Sequence, residues 1–229
     1  MSGENFDNLL AIETSSTRLK LALSFGGDRL VKSDVEIERS HGQIIVRKIG
    51  NLLSSAGLKQ SDLNGLIVST GPGSFTGLRI GLAAAKGIAA ALGIPVVGVS
   101  LFEVAAWRLR SETAPVLVAA QVRRDELLIG RIEKAKFDLG SVTAVPLAGL
   151  REFAGHTPVI GLGPSAARNL EEIQPLGGRA ELEIDPADLI WVGRVKFESG
   201  EIADLATLEP LYIQKSQAEI RFEQRRQQP

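Results

Sequence analysis

The 229-residue chain has no cysteine, so a disulfide framework, a thiolate metal site and a cysteine nucleophile are all excluded. It has two histidines, His41 and His156, far apart in the sequence and in no HExxH or HxxxH pairing. That argues against a histidine-held metal or a histidine base, and His41 reads as a helix-start residue. Net charge is nearly absent too: 26 basic and 27 acidic residues leave −1. No long-range field draws such a chain onto nucleic acid, so any contact with RNA is local or lent by a partner. The first thirty residues lack a basic start followed by an unbroken apolar run, and do not read as a secretion signal. No window supplies the ~20 uninterrupted apolar residues of a membrane span. With no cysteine to protect, a reducing cytosol is the expected compartment.

The hydrophobic content, 44%, is enough for one generous core or two modest ones, and the length favours two lobes packed together rather than tethered. Residues 8–13 and 18–25 read as strands, the second alternating through Leu19, Leu21, Leu23 and Phe25. Gly26-Gly27-Asp28 is a turn, and 30–37 completes an antiparallel meander. From Ser40 the period becomes helical, through Ile44, Ile45, Ile49, Leu52, Leu53 and Ala56, with Ser40 as N-cap and Gly57 as C-cap. A buried strand over 65–70, the loop GPGS, a helix over 75–92 ending at Gly93, a strand over 95–99 and a helix over 101–110 complete a first lobe. Strands at PVLVAAQ, ELLIGRIE and PVIGLG and helices near 164–173 and 186–198 form a second α/β lobe. No sequence repeat links the lobes, and the polar tail from Thr207, ending in FEQRRQQP, is expected to fray beyond Phe222.

Thr70-Gly71-Pro72-Gly73-Ser74 joins a strand to a helix, so N–H groups at the helix start are placed to face an anion. It is not a Walker loop, because the Lys-Ser/Thr pair is missing. By spacing alone a phosphate cradle and a tight structural turn are equally served. Thr14, Ser15 and Ser16, in the turn Glu13–Thr17, invite the same two readings, with turn capping favoured for these residue types. The following helix sets Gly73, Gly77, Gly81, Ala85 and Ala89 four residues apart, a smooth stripe that lies either on this lobe's own sheet or against another protein's helix. Arg123, Arg124, Arg221, Arg225 and Arg226 read as solvated charge, with the tail free to touch RNA.

The stretch from Gly71 to Ala106, GPGSFTGLRIGLAAAKGIAAALGIPVVGVSLFEVAA, resembles the signature of the TsaB (YeaZ) family almost residue for residue. LAIETSSTRLKLAL at Leu10–Leu23 resembles the family's opening motif, ERSHGQIIVRKIGNLLSSAGLKQSDLNGLIVSTGPGS its histidine-led helix and strand, and LEPLYIQ at Leu208–Gln214 its closing segment. Glu13 stands where the family more often has Asp, and Gln121-Val122-Arg123 where it has an Asp-Ala-Arg-like triplet. The resemblance implies an α/β fold of two ribonuclease-H-like lobes of the actin, sugar kinase and Hsp70 superfamily: an N-terminal partner-binding lobe over 1–106, a C-terminal lobe over 107–204, and a segment about 205–222 returning to the first. It implies no catalytic residue and no metal, since the family lacks the histidine pair of its catalytic paralogue TsaD, as does this chain. It implies binding and activation of TsaD for transfer of threonylcarbamoyl from threonylcarbamoyl-AMP to N6 of adenosine 37 in ANN-decoding tRNAs. The ATPase TsaE would dock on that pair, and a homodimer would form without TsaD. No cofactor is implied for the chain itself; nucleotide belongs to the level of the complex, as does tRNA. The implied partner-interface residues are His41, Ile44, Ile45, Lys48, Leu52, Phe75, Gly77, Leu78, Gly81 and Ala85, and Thr14, Ser15, Ser16, Gly71, Gly73 and Ser74 are the candidate vestigial phosphate-binding set.

Three rivals stand beside this reading. A kinase or ATPase of the same fold needs an adenosine loop, for which Gly161-Leu162-Gly163-Pro164 is at best a degraded version. A protease has no metal-ligand set and no Ser-His-Asp constellation to work with. A structural homodimer uses the small-residue stripe as well as a heterodimer does.

Overall fold

The computed structural model describes residues 6–37, 41–170 and 181–211. The expected Ser40 cap, the end of the helix near 173 and the tail from Tyr212 lie outside them. In the first sheet β1 (Leu9–Glu13), β2 (Arg18–Phe25) and β3 (Arg29–Glu36) form the antiparallel meander; β4 (Gly65–Gly71) runs parallel to β1, and β5 (Val96–Ser100) parallel to β4. The spatial order is β3-β2-β1-β4-β5. On one face lie α1 (His41–Ser55) and α2 (Phe75–Leu92), whose Ile45, Ile49, Leu53, Leu82 and Ala85 meet Leu10, Leu21 and Leu66 of the sheet. Ser74 caps α2 by accepting from the Gly77 N–H, and Gly93 ends it in a left-handed turn at φ +66°.

The second sheet contains β6 (Val116–Arg123), β7 (Glu126–Glu133), β8 (Lys136–Phe137), β9 (Thr143–Pro146), β10 (Val159–Leu162) and β11 (Glu181–Leu182). Strands β8 and β9 share one edge of β7, β6 is antiparallel to β7, and β10 and β11 follow in parallel. Read from that edge the order is β9-β7-β6-β10-β11, strand for strand the arrangement of the first sheet. This duplicated ribonuclease-H-like topology has no counterpart in a sequence repeat. The remaining helices are α3 (Leu101–Arg108), α4 (Leu150–Ala154), α5 (Gly163–Asn169) and α6 (Pro186–Ser199).

The boundary expected near residue 204 is displaced, because α6 packs on the first sheet. Leu189, Ile190 and Phe197 join Leu9, Ala11, Ala22 and Ile67 in one core, each worth about 1.5–3 kcal/mol of burial. Gly193 permits the contact: a Cβ there would come within 2.5 Å of the Ile67 side chain. The first lobe thus reclaims the chain from Ile184 onward. Residues 203–211 continue along its edge, with Ala203 N–H donating to the Val96 carbonyl and Leu211 N–H to that of Thr70, both at 2.8 Å. The alternation read in β2 is corrected by the same part of the chain, since on the face opposite Leu21 the helix covers Ala22 and Ser24, and Lys20 is buried against Ile184 just before it. Helix α2 has the length and hydropathy of a membrane span, but it bears Arg79 and Lys86 and seats Leu82, Ala85 and Ala89 in the first-lobe core.

Candidate functional site

Between the lobes lies a cleft of about 610 Å³. Its first-lobe wall is the β1–β2 turn with Glu13, Ser15, Ser16 and Thr17, together with Gly73 and Ser74; Gln121, Gly163, Pro164 and Ser165 line it from the second lobe. Four of the six phosphate-set residues, Ser15, Ser16, Gly73 and Ser74, therefore come together. Thr14 and Gly71 do not line it. Thr14 is turned into the protein with its hydroxyl buried and unpartnered, and Gly71 is buried against Leu78. Much of the expected anion-binding capacity is already engaged. The Ser74 N–H donates to the Ser15 carbonyl at 2.6 Å, the Ser74 hydroxyl caps α2, and the Ser16 hydroxyl accepts from the Arg18 N–H at 3.1 Å.

Two charged groups sit at the base of the cleft. Burial pushes the Glu13 carboxyl above its ordinary value of 4.5, against the opposing pull of the Ser15 N–H, Lys20 and the Ser69 hydroxyl. Lys20, cross-strand from Glu13 and only 6% exposed, donates to the Ile184 carbonyl at 2.7 Å and pairs with Glu183 at 3.4 Å. Sequence reasoning missed Lys20, Gln121 and Glu183. A lysine in an alternating strand reads as solvated, and only the small neighbours Ala22 and Ser24 hinted that something covers that face. Among the described residues no group of three His, Cys, Asp or Glu is placed to hold a metal. His156 lies exposed outside the cleft lining.

The glycine stripe resolves toward the internal reading. A Cβ on Gly77 would collide with the Thr14 carbonyl, one on Gly81 with the Thr14 hydroxyl, and Ala85 and Ala89 are buried on the sheet. The close approach that the stripe allows is to this chain's own β1–β2 turn. Gly77, Gly81, Ala85, Leu78, Ile45 and Leu52 are accordingly core residues, which corrects their expected exposure to a partner; the side chain of His41 is outside the described set. What α1 and α2 present outward is different: Gly42, Val46 (54% exposed) and Arg47 on α1, then Phe75 (38%), Arg79, Ala83 and Gly87 on α2, with Ile44 and Lys48 half-buried beside them. The Arg79 guanidinium stacks 3.8 Å over the Phe75 ring. Nothing lies within 4 Å of where a Cβ would stand on Gly42, Gly50 or Gly87.

Comparison with known proteins fits this geometry. The family model described as TsaD: tRNA N6-adenosine threonylcarbamoyltransferase matches residues 35–173, more than half of the chain. The tRNA threonylcarbamoyladenosine biosynthesis protein TsaB of Escherichia coli K12 is 29% identical, over 92% of this chain and 96% of that one. Its counterpart in Bacillus subtilis 168 is 27% identical, over 93% and 97%. The solved structure of YeaZ from Pseudomonas aeruginosa superposes with a TM-score of 0.71 at 26% identity, over 90% of this chain and 99% of that one. The chain belongs to the TsaB (YeaZ) family. As a TsaB-family chain it is matched across nearly its whole length by these relatives, and Glu13 and Gln121 both line its cleft.

Proposed function

We propose that the chain is an accessory, non-catalytic subunit of tRNA threonylcarbamoyladenosine formation. It binds and activates TsaD, which transfers threonylcarbamoyl from threonylcarbamoyl-AMP to N6 of adenosine 37 in ANN-decoding tRNAs. The observation that carries this reading is near full-length similarity to proteins named for that pathway, 92–93% of the chain. The match of residues 35–173 to the TsaD family model supports docking of like on like, first lobe against first lobe. The surface best suited is the outward face of α1 and α2, where Val46 and Phe75 are exposed and Gly42, Gly50 and Gly87 let a second pair of helices approach closely. TsaE would join the pair, tRNA and nucleotide would be held by the complex, and two copies of this chain would use the same face in the absence of TsaD. The cytosol is the compartment this role requires.

The test is to mix the purified chain with TsaD of the same organism and follow mass by light scattering. A heterodimer should form, and Val46→Arg or Gly87→Arg should abolish it while leaving thermal unfolding cooperative, because Val46 is more than half exposed and a Cβ on Gly87 meets nothing within 4 Å. Wild-type chains that stay apart, or arginine variants that bind normally, would defeat the proposal; a homodimer that TsaD leaves intact would point to self-association instead.

A further inference from the structure

The chain crosses between lobes at α3 and again at Glu183. In α3, Leu101 and Val104 pack in the first-lobe core with Val97, Val99 and Ile190, whereas Phe102, Ala105 and Ala106 pack in the second-lobe core with Val118 and Ile160. At the other crossing Leu182 lies in the second-lobe core and Ile184 in the first, so a single residue separates them. The two connections are also stitched together and to the first sheet. Arg108 meets Asp188 at 3.0 Å and Glu103 meets Lys196 at 2.7 Å, joining α3 to α6. Lys32 meets Asp185 at 2.7 Å, and Lys20, buried, holds the Ile184 carbonyl.

Two lobes of one chain ordinarily move unless their interface is large and apolar. Here rotating one against the other would pull α3 out of one of two close-packed cores, and at the second crossing, with Ile184 held to the first sheet by Lys20 and Leu182 packed in the second-lobe core, Glu183 alone would have to absorb the turn. From this we infer that the lobes form one rigid body and that the cleft has a fixed width, with α3 as the shared wedge and Lys20 as the latch on the one-residue crossing. A ligand enters such a cleft without closing it, and a partner seated on α1 and α2 carries the second lobe with it as a unit.

The absence of cysteine makes paired spin labelling clean. Asn51→Cys with Glu152→Cys, both exposed, spans the lobes, and Asn51→Cys with Glu198→Cys is a control within the first lobe. Pulsed dipolar spectroscopy should give the interlobe pair a single peak as narrow as the control. In Lys20→Met, amide hydrogen exchange over 183–187 should accelerate at least about tenfold while the interlobe peak keeps its position. A broad or two-peaked interlobe distribution in the otherwise wild-type chain overturns the rigid body, whether or not Lys20→Met folds. Unchanged exchange in a folded Lys20→Met overturns the latch.

Discussion

Replacing glycines along α2 by alanine separates the helix's two faces. At Gly87 a Cβ would meet nothing within 4 Å, so Gly87→Ala gains only the helix-propensity difference, about 0.5–1 kcal/mol. For a chain of this size that is a rise in melting temperature of roughly 1–4 °C. At Gly81 the same Cβ collides with the Thr14 hydroxyl inside a buried site, an overpacking cost of about 1–3 kcal/mol that outweighs the propensity gain. At Gly77 the obstacle is the Thr14 carbonyl, which cannot rotate away, and the loss should exceed that at Gly81. Removing the hydroxyl distinguishes the two cases. In Thr14→Ala the nearest remaining neighbour of a Cβ at position 81 is the Thr14 Cβ at 3.3 Å, a contact that a small shift relieves, so this change should recover stability lost by Gly81→Ala and none of that lost by Gly77→Ala. Urea and thermal unfolding followed by far-UV circular dichroism, on the four single and two double variants, measure this. Equal effects at positions 81 and 87, or no selective recovery by Thr14→Ala, would refute the assignment of the inner stripe to the β1–β2 turn.

Two further expectations concern other parts of the chain. Because burial raises the Glu13 carboxyl's proton affinity in the folded state, the stability it contributes is fully present below its unfolded-chain value and is lost as pH rises through the folded value; urea melts from about pH 4 to about pH 8 should show Glu13→Gln losing less stability toward neutrality than wild type. In the β7–β8 hairpin Lys134 and Ala135 take left-handed backbone angles of φ +50° and +62°, so the double change Lys134→Asn with Ala135→Gly should stabilise by about 1–2 kcal/mol, read as a higher urea midpoint at unchanged slope.

Period and punctuation made the first lobe legible. The meander, α1, and α2 with Ser74 and Gly93 at its ends follow from alternation, helical spacing and glycine turns. In the second lobe β8, β9 and α4 escaped because two, four and five residues carry no measurable period, and the Lys134–Ala135 turn contains none of the Gly, Asn or Asp that usually mark one. The duplicated strand order was invisible for a different reason: what repeats is the order of hydrogen-bonded partners, which constrains alternation but not residue identity. The cleft was half legible. Ser15, Ser16, Gly73 and Ser74 were visible as loop chemistry, whereas Lys20 and Glu183 come together only because the segment at Glu183–Ile184, more than 160 positions from Lys20, docks on β2, which no local pattern announces.

The glycine stripe shows how a correct local inference can point to the wrong neighbour. Four-residue spacing of small side chains proves that something comes close to the helix; it does not say what, and here it is Thr14. Once the inner face is assigned to the chain's own turn, any partner of α2 must use the outer one, and that face has its own physical character. The sequences of α1 and α2 contain Arg47, Lys48, Arg79 and Lys86 and not one Asp or Glu. With Val46 and Phe75 exposed among those cations, the face is apolar and wholly basic, although the chain as a whole is nearly neutral. A second copy of this chain would set like charges against one another across the seam, whereas a chain bearing acidic residues on the matching helices would not. The charge pattern thus favours a heterodimer over a homodimer on this face, a distinction that the small-residue stripe alone could not make.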